Sequence, residues 1–228
     1  MTDKTLLQER LCRRLGYQFE RKELFNKALT HRSAANKHNE RLEFLGDSIL
    51  GMVIAEYLFG KFNKANEGQL SRLRSMLVKG KTLAEIAKEL DIGDCLYLGE
   101  GELKSGGFRR SSILADAFEA ILGAIYIDSD FNTAKSIILK LYDSRLKNLT
   151  LEMVNKDPKT RLQELLQAQK LTLPEYDLLE VTGEAHEQTF KVACLVKEKN
   201  LNTIGLGSSR RNAEQKAAEK VLKVLENK

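Results

Sequence analysis

Residues 39–54 read NERLEFLGDSILGMVI, and the placing of the acids within that run decides how the chain is to be understood. Its apolar residues recur at helical spacing, so the stretch predicts an α-helix. At about 100° per residue, Glu40, Glu43 and Asp47 fall within roughly 60° of one another on one face. The same row continues through Leu50, Gly51 and Ile54, which are apolar or small, while the opposite face carries Leu42, Leu45, Ile49 and Val53. A helix apolar on both sides is expected to be buried. Its three acids then stand at one end of a row that otherwise reads as core.

A second run repeats the peculiarity. In ILADAFEAILGAIYI, residues 113–127, only Asp116 and Glu119 are strongly polar. They lie three apart and share a face with Gly123, which removes side-chain bulk one turn on, as Gly51 does four residues after Asp47. Two small residues beside two acid pairs predict helices that approach closely with carboxylates converging. Buried, unpaired carboxylates cost several kcal/mol each, and like charges brought together raise that cost. Protonation, basic partners or a divalent cation each relieve it. A single such acid most simply pairs with Arg or Lys; four or five at matching spacing on two apolar helices favour the cation. All-oxygen ligation suits Mg²⁺, with Mn²⁺ able to substitute. Zinc would want His or Cys, and His31, His38 and His186 form no ligand cluster. A di-iron bundle would want Glu-x-x-His, and no histidine has a glutamate three residues before it. An acidic Mg²⁺ site on a basic protein points to phosphoryl transfer.

Composition bounds the rest. The chain has 228 residues and 25.8 kDa, with 42% hydrophobic and 30% charged residues, which is globular and not disordered. Lys and Arg number 37 against 32 Asp and Glu, a net +5 with pI near 9.0, compatible with a polyanionic partner. No stretch approaches 18 uninterrupted apolar residues, so no membrane span is expected. The start, MTDKTLLQERL, carries charges where a signal peptide needs an apolar core, so a cytoplasmic protein is expected. Cys12, Cys95 and Cys194 are odd in number and in no CxxC pair, which fits a reducing compartment and excludes a zinc ribbon.

The pattern changes near Asp157-Pro158. Before it, helical periodicity dominates, as in Leu70–Leu77, Leu83–Leu90 and Ile137–Leu146. After it, a helix is predicted over Lys159–Lys170, strands over Tyr176–Val181, Phe190–Val196 and Leu201–Leu206, and a last helix from near Ser209 to Leu225. The expected organisation is two-domain: an all-α domain over 1–154 and a small α+β domain, α-β-β-β-α, over 157–228. The intervening LEMVNK is too short for a long flexible linker.

NERLEFLGDS resembles the signature of the ribonuclease III family, and SILADAFEAILGAIYID is similar to that family's second acidic helix. LTHRSA (29–34) and EGQLSRLRSMLV (67–78) resemble family segments in the family's order. The resemblance implies that Glu43, Asp47, Asp116 and Glu119 are the metal-binding acids, with Asp47 and Glu119 indispensable to catalysis and Glu40 and Glu67 assisting at the cleavage site. It further implies a helical homodimer whose signature helices pair across the two-fold, with Phe44 at that contact. The implied activity is Mg²⁺-dependent endonucleolytic cleavage of double-stranded RNA by metal-activated water, leaving 5′-phosphate, 3′-hydroxyl and two-nucleotide 3′ overhangs. The family's usual work is ribosomal RNA precursor processing and messenger decay.

Residues 157–228 resemble a double-stranded RNA-binding domain through TRLQELLQ (160–167), GEAHEQTF (183–190) and SSRRNAEQKAAEKVL (208–222). A-form RNA offers a wide, shallow minor groove and a deep major groove that side chains enter poorly, so a shape reader needs two groove probes and a basic bridge. By resemblance Gln163 and Glu164 probe one minor groove, His186 reaches the next, and Arg210, Arg211 and Lys216 span the intervening phosphates. Two residues depart from the pattern: Glu184 replaces a frequent proline and Glu214 a frequent third base. With 12 basic and 11 acidic residues in 157–228, the clamp is expected to rest on local patches and not on bulk charge. The rival readings are an RNA-binding protein with a dead site, a helical metal protein and a DNA nuclease. The first would lack a core acid, and none is missing; the RNA-reader pattern argues against the other two.

Overall fold

The computed structural model describes residues 3–154, 157–184 and 187–226. The chain divides into two compact units, 1–154 and 155–228, each with its own apolar core.

The first unit is helical: α1 Asp3–Leu15, α2 Lys22–Ala28, α3 Glu40–Lys61, α4 Glu67–Val78, α5 Gly80–Glu89, α6 Ile92–Cys95, α7 Glu100–Lys104, α8 Ser111–Asp128, α9 Phe131–Leu141 and α10 Asp143–Lys147. The run expected as one helix over Ile137–Leu146 breaks at Tyr142, whose ring is fully buried and whose hydroxyl donates to the Leu77 carbonyl at 3.2 Å. Leu151–Val154, the first part of LEMVNK, forms a 3₁₀ turn held to α4 by Arg72 Nε donating to the Val154 carbonyl at 2.9 Å.

At the centre α3 crosses α8. The expected close approach occurs, but through Gly46 and not Gly51. A Cβ at Gly46 would stand 1.8 Å from the Glu119 carbonyl oxygen, and one at Gly123 would stand 2.2 Å from that of Leu42. A Cβ at Gly51 would meet nothing within 4 Å. The reason is angular: Leu42, Ile49, Leu50, Val53 and Ile54 form the buried arc, Gly46 lies at its middle, and Gly51 is about 140° away.

The expectation that α3 is buried all round is also corrected. A third apolar stripe faces outward, with Phe44 78%, Met52 61% and Phe59 75% exposed. Helix α8, by contrast, is enclosed almost throughout. It ends on Asp128, whose side chain is fully buried and accepts from Tyr17 Oη (2.8 Å), Glu20 N (2.9 Å), Arg21 N (3.1 Å) and Arg21 Nε (3.0 Å). Burial alone would push that carboxyl up; the four donors outweigh it and hold it below the ordinary range.

The second unit is α11 Pro158–Ala168, β1 Glu175–Thr182, β2 Thr189–Val196, β3 Leu201–Gly207 and α12 Arg210–Glu226, the α-β-β-β-α order expected. The strands form one antiparallel sheet in the order β1-β2-β3. Asp157 caps α11 by accepting from Thr160 N at 2.9 Å, with Pro158 in the first turn. Leu162 and Leu166 of α11 bury against Ala217, Ala218, Val221 and Leu222 of α12 and against Cys194 and Val196 of β2.

Gly46→Ala drives a methyl into a backbone carbonyl that moves only if α8 moves, so it is expected to cost about 3 kcal/mol or more. Gly51→Ala should leave stability equal or raise it by up to about 1 kcal/mol. Urea unfolding of the two variants checks the contrast.

Candidate active site

The Gly46–Gly123 crossing sets the site. With the two backbones in contact, Glu43 on α3 faces Asp116 and Glu119 on α8, and one carboxylate oxygen from each lies within 4.8 Å of the others. All three side chains are half-buried. Among the described residues none of them makes an ion pair within 4.0 Å. Burial pushes the Glu119 carboxyl up to about 8, with Asp47, Glu43 and Asp116 adding to the rise. Burial raises Glu43 too, helped by Asp116 and Glu40 and opposed by Arg32. Asp116 is raised by burial against the opposing charges of His31 and Arg32. The three acids therefore hold protons, or a cation, more readily than free carboxylates do.

Asp47 lies one turn beyond Glu43, exposed, close enough to act on Glu119 but outside the three-oxygen group. Glu40 is also exposed and pairs with Arg32 at 3.3 Å at the edge of the same cleft, about 610 Å³ in volume. Glu67 is elsewhere. It opens α4, accepts from Ser71 Oγ at 2.6 Å, and borders a separate apolar groove of about 680 Å³ with Met52 and Phe59. Within one protomer the structure does not bring Glu67 to the acid cluster.

The LTHRSA segment is stitched beside the acids. Asn39, buried before α3, donates from its backbone N to the Thr30 carbonyl at 2.9 Å; His31 N donates to Tyr97 O at 3.0 Å, and Gly99 N to Ser33 Oγ at 3.0 Å. These bonds set His31, Arg32 and Ser33 along the cleft. Sequence reasoning missed Glu102 and Arg110, which pair at 3.0 Å and face the same cleft. They stand in a polar stretch, EGELKSGGFRR, without helical periodicity to single them out.

In the second unit Gln163 and Glu164 are exposed on α11, and Arg210, Arg211 and Lys216 are exposed on the first two turns of α12. His186 lies outside the described residues; Glu184, before it, is exposed.

Residues 21–146 match the family model described as Ribonuclease-III-like, and residues 158–225 match the double-stranded RNA binding motif. Ribonuclease 3 of Vibrio cholerae is 59% identical over 218 residues, 96% of this chain and 97% of that one. Ribonuclease 3 of Shewanella amazonensis is 59% identical over 216 residues, covering 95% and 96%.

The chain belongs to the ribonuclease III family.

A crystal structure of the ribonuclease III nuclease domain from Campylobacter jejuni is 44% identical, with a TM-score of 0.61 over 66% of this chain and all of that one. A second structure of that domain, described as showing flexibility in the region involved in its dimer formation, is 47% identical with a TM-score of 0.59, covering 60% and 96%. As a ribonuclease III, the chain is an endoribonuclease of double-stranded RNA, with a helical nuclease domain followed by a double-stranded RNA-binding domain. No helix among the described residues is long and apolar enough to cross a membrane.

The raised Glu119 carboxyl gives a stability signature. In metal-free protein the folded state keeps a proton up to about 8, whereas the unfolded chain gives it up near 4.5. The contribution of this carboxyl to stability is therefore fully present below about 4.5 and is lost as pH rises towards 8. In EDTA, the thermal midpoint is expected to drop between pH 6 and pH 8 (both inside that window). Glu119→Gln should drop less; equal slopes would remove Glu119 as the source.

Proposed function

We propose that the acid cluster is the catalytic centre of a Mg²⁺-dependent hydrolysis of double-stranded RNA. The carrying observation is the convergence of Glu43, Asp116 and Glu119 oxygens from two helices, with no ion-pairing base among the described residues. The donor set is all oxygen, which fits Mg²⁺, or Mn²⁺ in its place, and not zinc. Glu43, Asp116 and Glu119 would hold the ion, and Asp47, exposed one turn beyond Glu43, would bind it or orient a water. Bound there, the cation would supply a water of lowered pKa and offset charge on the phosphate. Asp47 and Glu119 would orient a water for in-line attack on phosphorus, with the P–O3′ bond breaking and the 3′ oxygen leaving as the hydroxyl, so no Ser, His or Cys nucleophile is required. Glu40 works at the cleft edge through Arg32.

The products carry 5′-phosphate and 3′-hydroxyl ends with two-nucleotide 3′ overhangs. That offset requires two sites acting on opposite strands, which a homodimer supplies. The exposed stripe Phe44, Met52 and Phe59, beside the apolar groove that Glu67 borders, supports pairing of α3 with its copy. Gln163, Glu164 and His186 read the minor grooves, and Arg210, Arg211 and Lys216 the phosphates between them. The substrates are ribosomal RNA precursors and structured messengers, in the cytoplasm.

Glu119→Gln should bind a long perfectly paired RNA nearly as well as wild type but cut it at least about 10³-fold more slowly in Mg²⁺. Near wild-type cutting would sink the assignment. Phe44→Asp should shift the protein to monomer in sedimentation equilibrium and suppress paired-strand cutting; an unchanged dimer would exclude the stripe as the interface.

A further inference from the structure

The RNA-facing end of α12 contains a carboxylate that the phosphate-contact reading does not use. Glu214, on the second turn, is only 12% exposed. Its Oε2 accepts from Lys159 Nζ at 2.6 Å and its Oε1 from Arg210 Nε at 3.1 Å. Lys159 also lies over the Tyr176 ring, 4.3 Å from its centroid, and its backbone N–H donates to Gln215 Oε1 at 3.1 Å. Burial alone would push the Glu214 carboxyl up, but Lys159 and Arg210 outweigh it and hold it below the ordinary range. It is an anion at neutral pH.

Two cations at the head of α12 are thus already engaged. The Lys159 ammonium is drawn to a carboxylate and a ring face. The bond from Arg210 to Glu214 uses Nε, one of five guanidinium donors, while the side chain stays 58% exposed. An RNA phosphate arriving here competes with Glu214 for both cations and is repelled by its charge.

We propose that Glu214 is an internal counter-anion that lowers the domain's affinity for the RNA backbone by keeping Lys159 from the phosphates and restricting Arg210 to contacts through its terminal nitrogens. The inference rests on the reading of Arg210, Arg211 and Lys216 as phosphate contacts. Phosphate contacts carry no sequence information, so trimming one lowers affinity for every duplex alike, cut or uncut. For an endonuclease that must leave its products, that trimming favours turnover. Glu214 in this account positions and neutralises; it touches no reacting atom.

The test uses the full chain carrying Glu119→Gln, in EDTA, with a perfectly paired RNA longer than about 16 base pairs. Adding Glu214→Gln should tighten binding about threefold to tenfold near 0.15 M salt. It should also steepen the plot of log K against log salt by about 0.9 per domain engaged. A further Lys159→Met should cancel the added slope, because Lys159 is the cation released. A folded Glu214→Gln protein that binds equally or more weakly overturns the proposal and leaves the carboxylate only a staple between α11 and α12. If circular dichroism and thermal unfolding show that domain unfolded, Glu214→Asp, a methylene too short to span both cations, is judged by the same criterion. Arg211→Ala with Glu214 intact separates the two failures: no loss of affinity there removes the phosphate reading itself.

Discussion

Two glycines set against two backbone carbonyls hold the nuclease unit in its working form. Gly46 meets the Glu119 carbonyl and Gly123 meets that of Leu42, so α3 and α8 cross at a separation no side chain permits. Everything chemical in the unit follows from that closeness. Glu43 sits three residues before Gly46, and Glu119 four before Gly123, so backbone contact obliges the carboxylates to meet. Their repulsion is offset by the enclosed face of α8, where Phe118, Ile121, Leu122 and Ile125 are buried. A cluster of partly desolvated like charges is tolerated because a packed core cannot relax apart by small steps.

The same geometry makes the site selective in what it attracts. An acid group whose carboxyls are raised competes for cations only after losing protons, so metal affinity and pH are linked. Nearby bases temper the cluster without neutralising it: Arg32 is engaged with Glu40, and Arg110 with Glu102. Those bases line the cleft that a phosphate would enter, while among the described residues the three converging acids have no ion-pair partner.

Much of this was legible from residue order alone. Acids inside apolar helices are anomalous whatever the family, and Glu43, Asp116 and Glu119 were found on that ground; the structure brings those three together. Asp47 and Glu40 lie at the rim of the same cluster. Gly46 is not legible in the sequence, because it lies on the buried arc with Leu42 and Leu50 and not on the acid row that Gly51 shares. The outward stripe of Phe44, Met52 and Phe59 was hidden for a related reason. A helix with apolar residues all round reads as buried, and periodicity does not distinguish burial within one chain from burial against another. Glu67 looked like a member of the site because resemblance carries position along the chain, whereas in one protomer space puts it on another groove. Glu102 and Arg110 had no periodic signal at all.

The two units use carboxylates in opposite ways, and the contrast explains how a polyanion is brought to an acidic centre. In the nuclease unit the three acids converge with no ion-pairing base among the described residues, an arrangement that favours a cation and disfavours RNA phosphate. Attraction for the backbone must come from elsewhere, and residues 157–228 carry only one net positive charge, 12 bases against 11 acids. On the proposed reading its affinity depends on where each base stands: Arg210, Arg211 and Lys216 are exposed along one helix, and Lys159 is engaged with Glu214 and Tyr176. With so small a surplus, the counter-anion role proposed for Glu214 would change the number of cations a phosphate can reach by a sizeable fraction. Charge placement, more than charge count, sets how firmly such a domain holds a duplex.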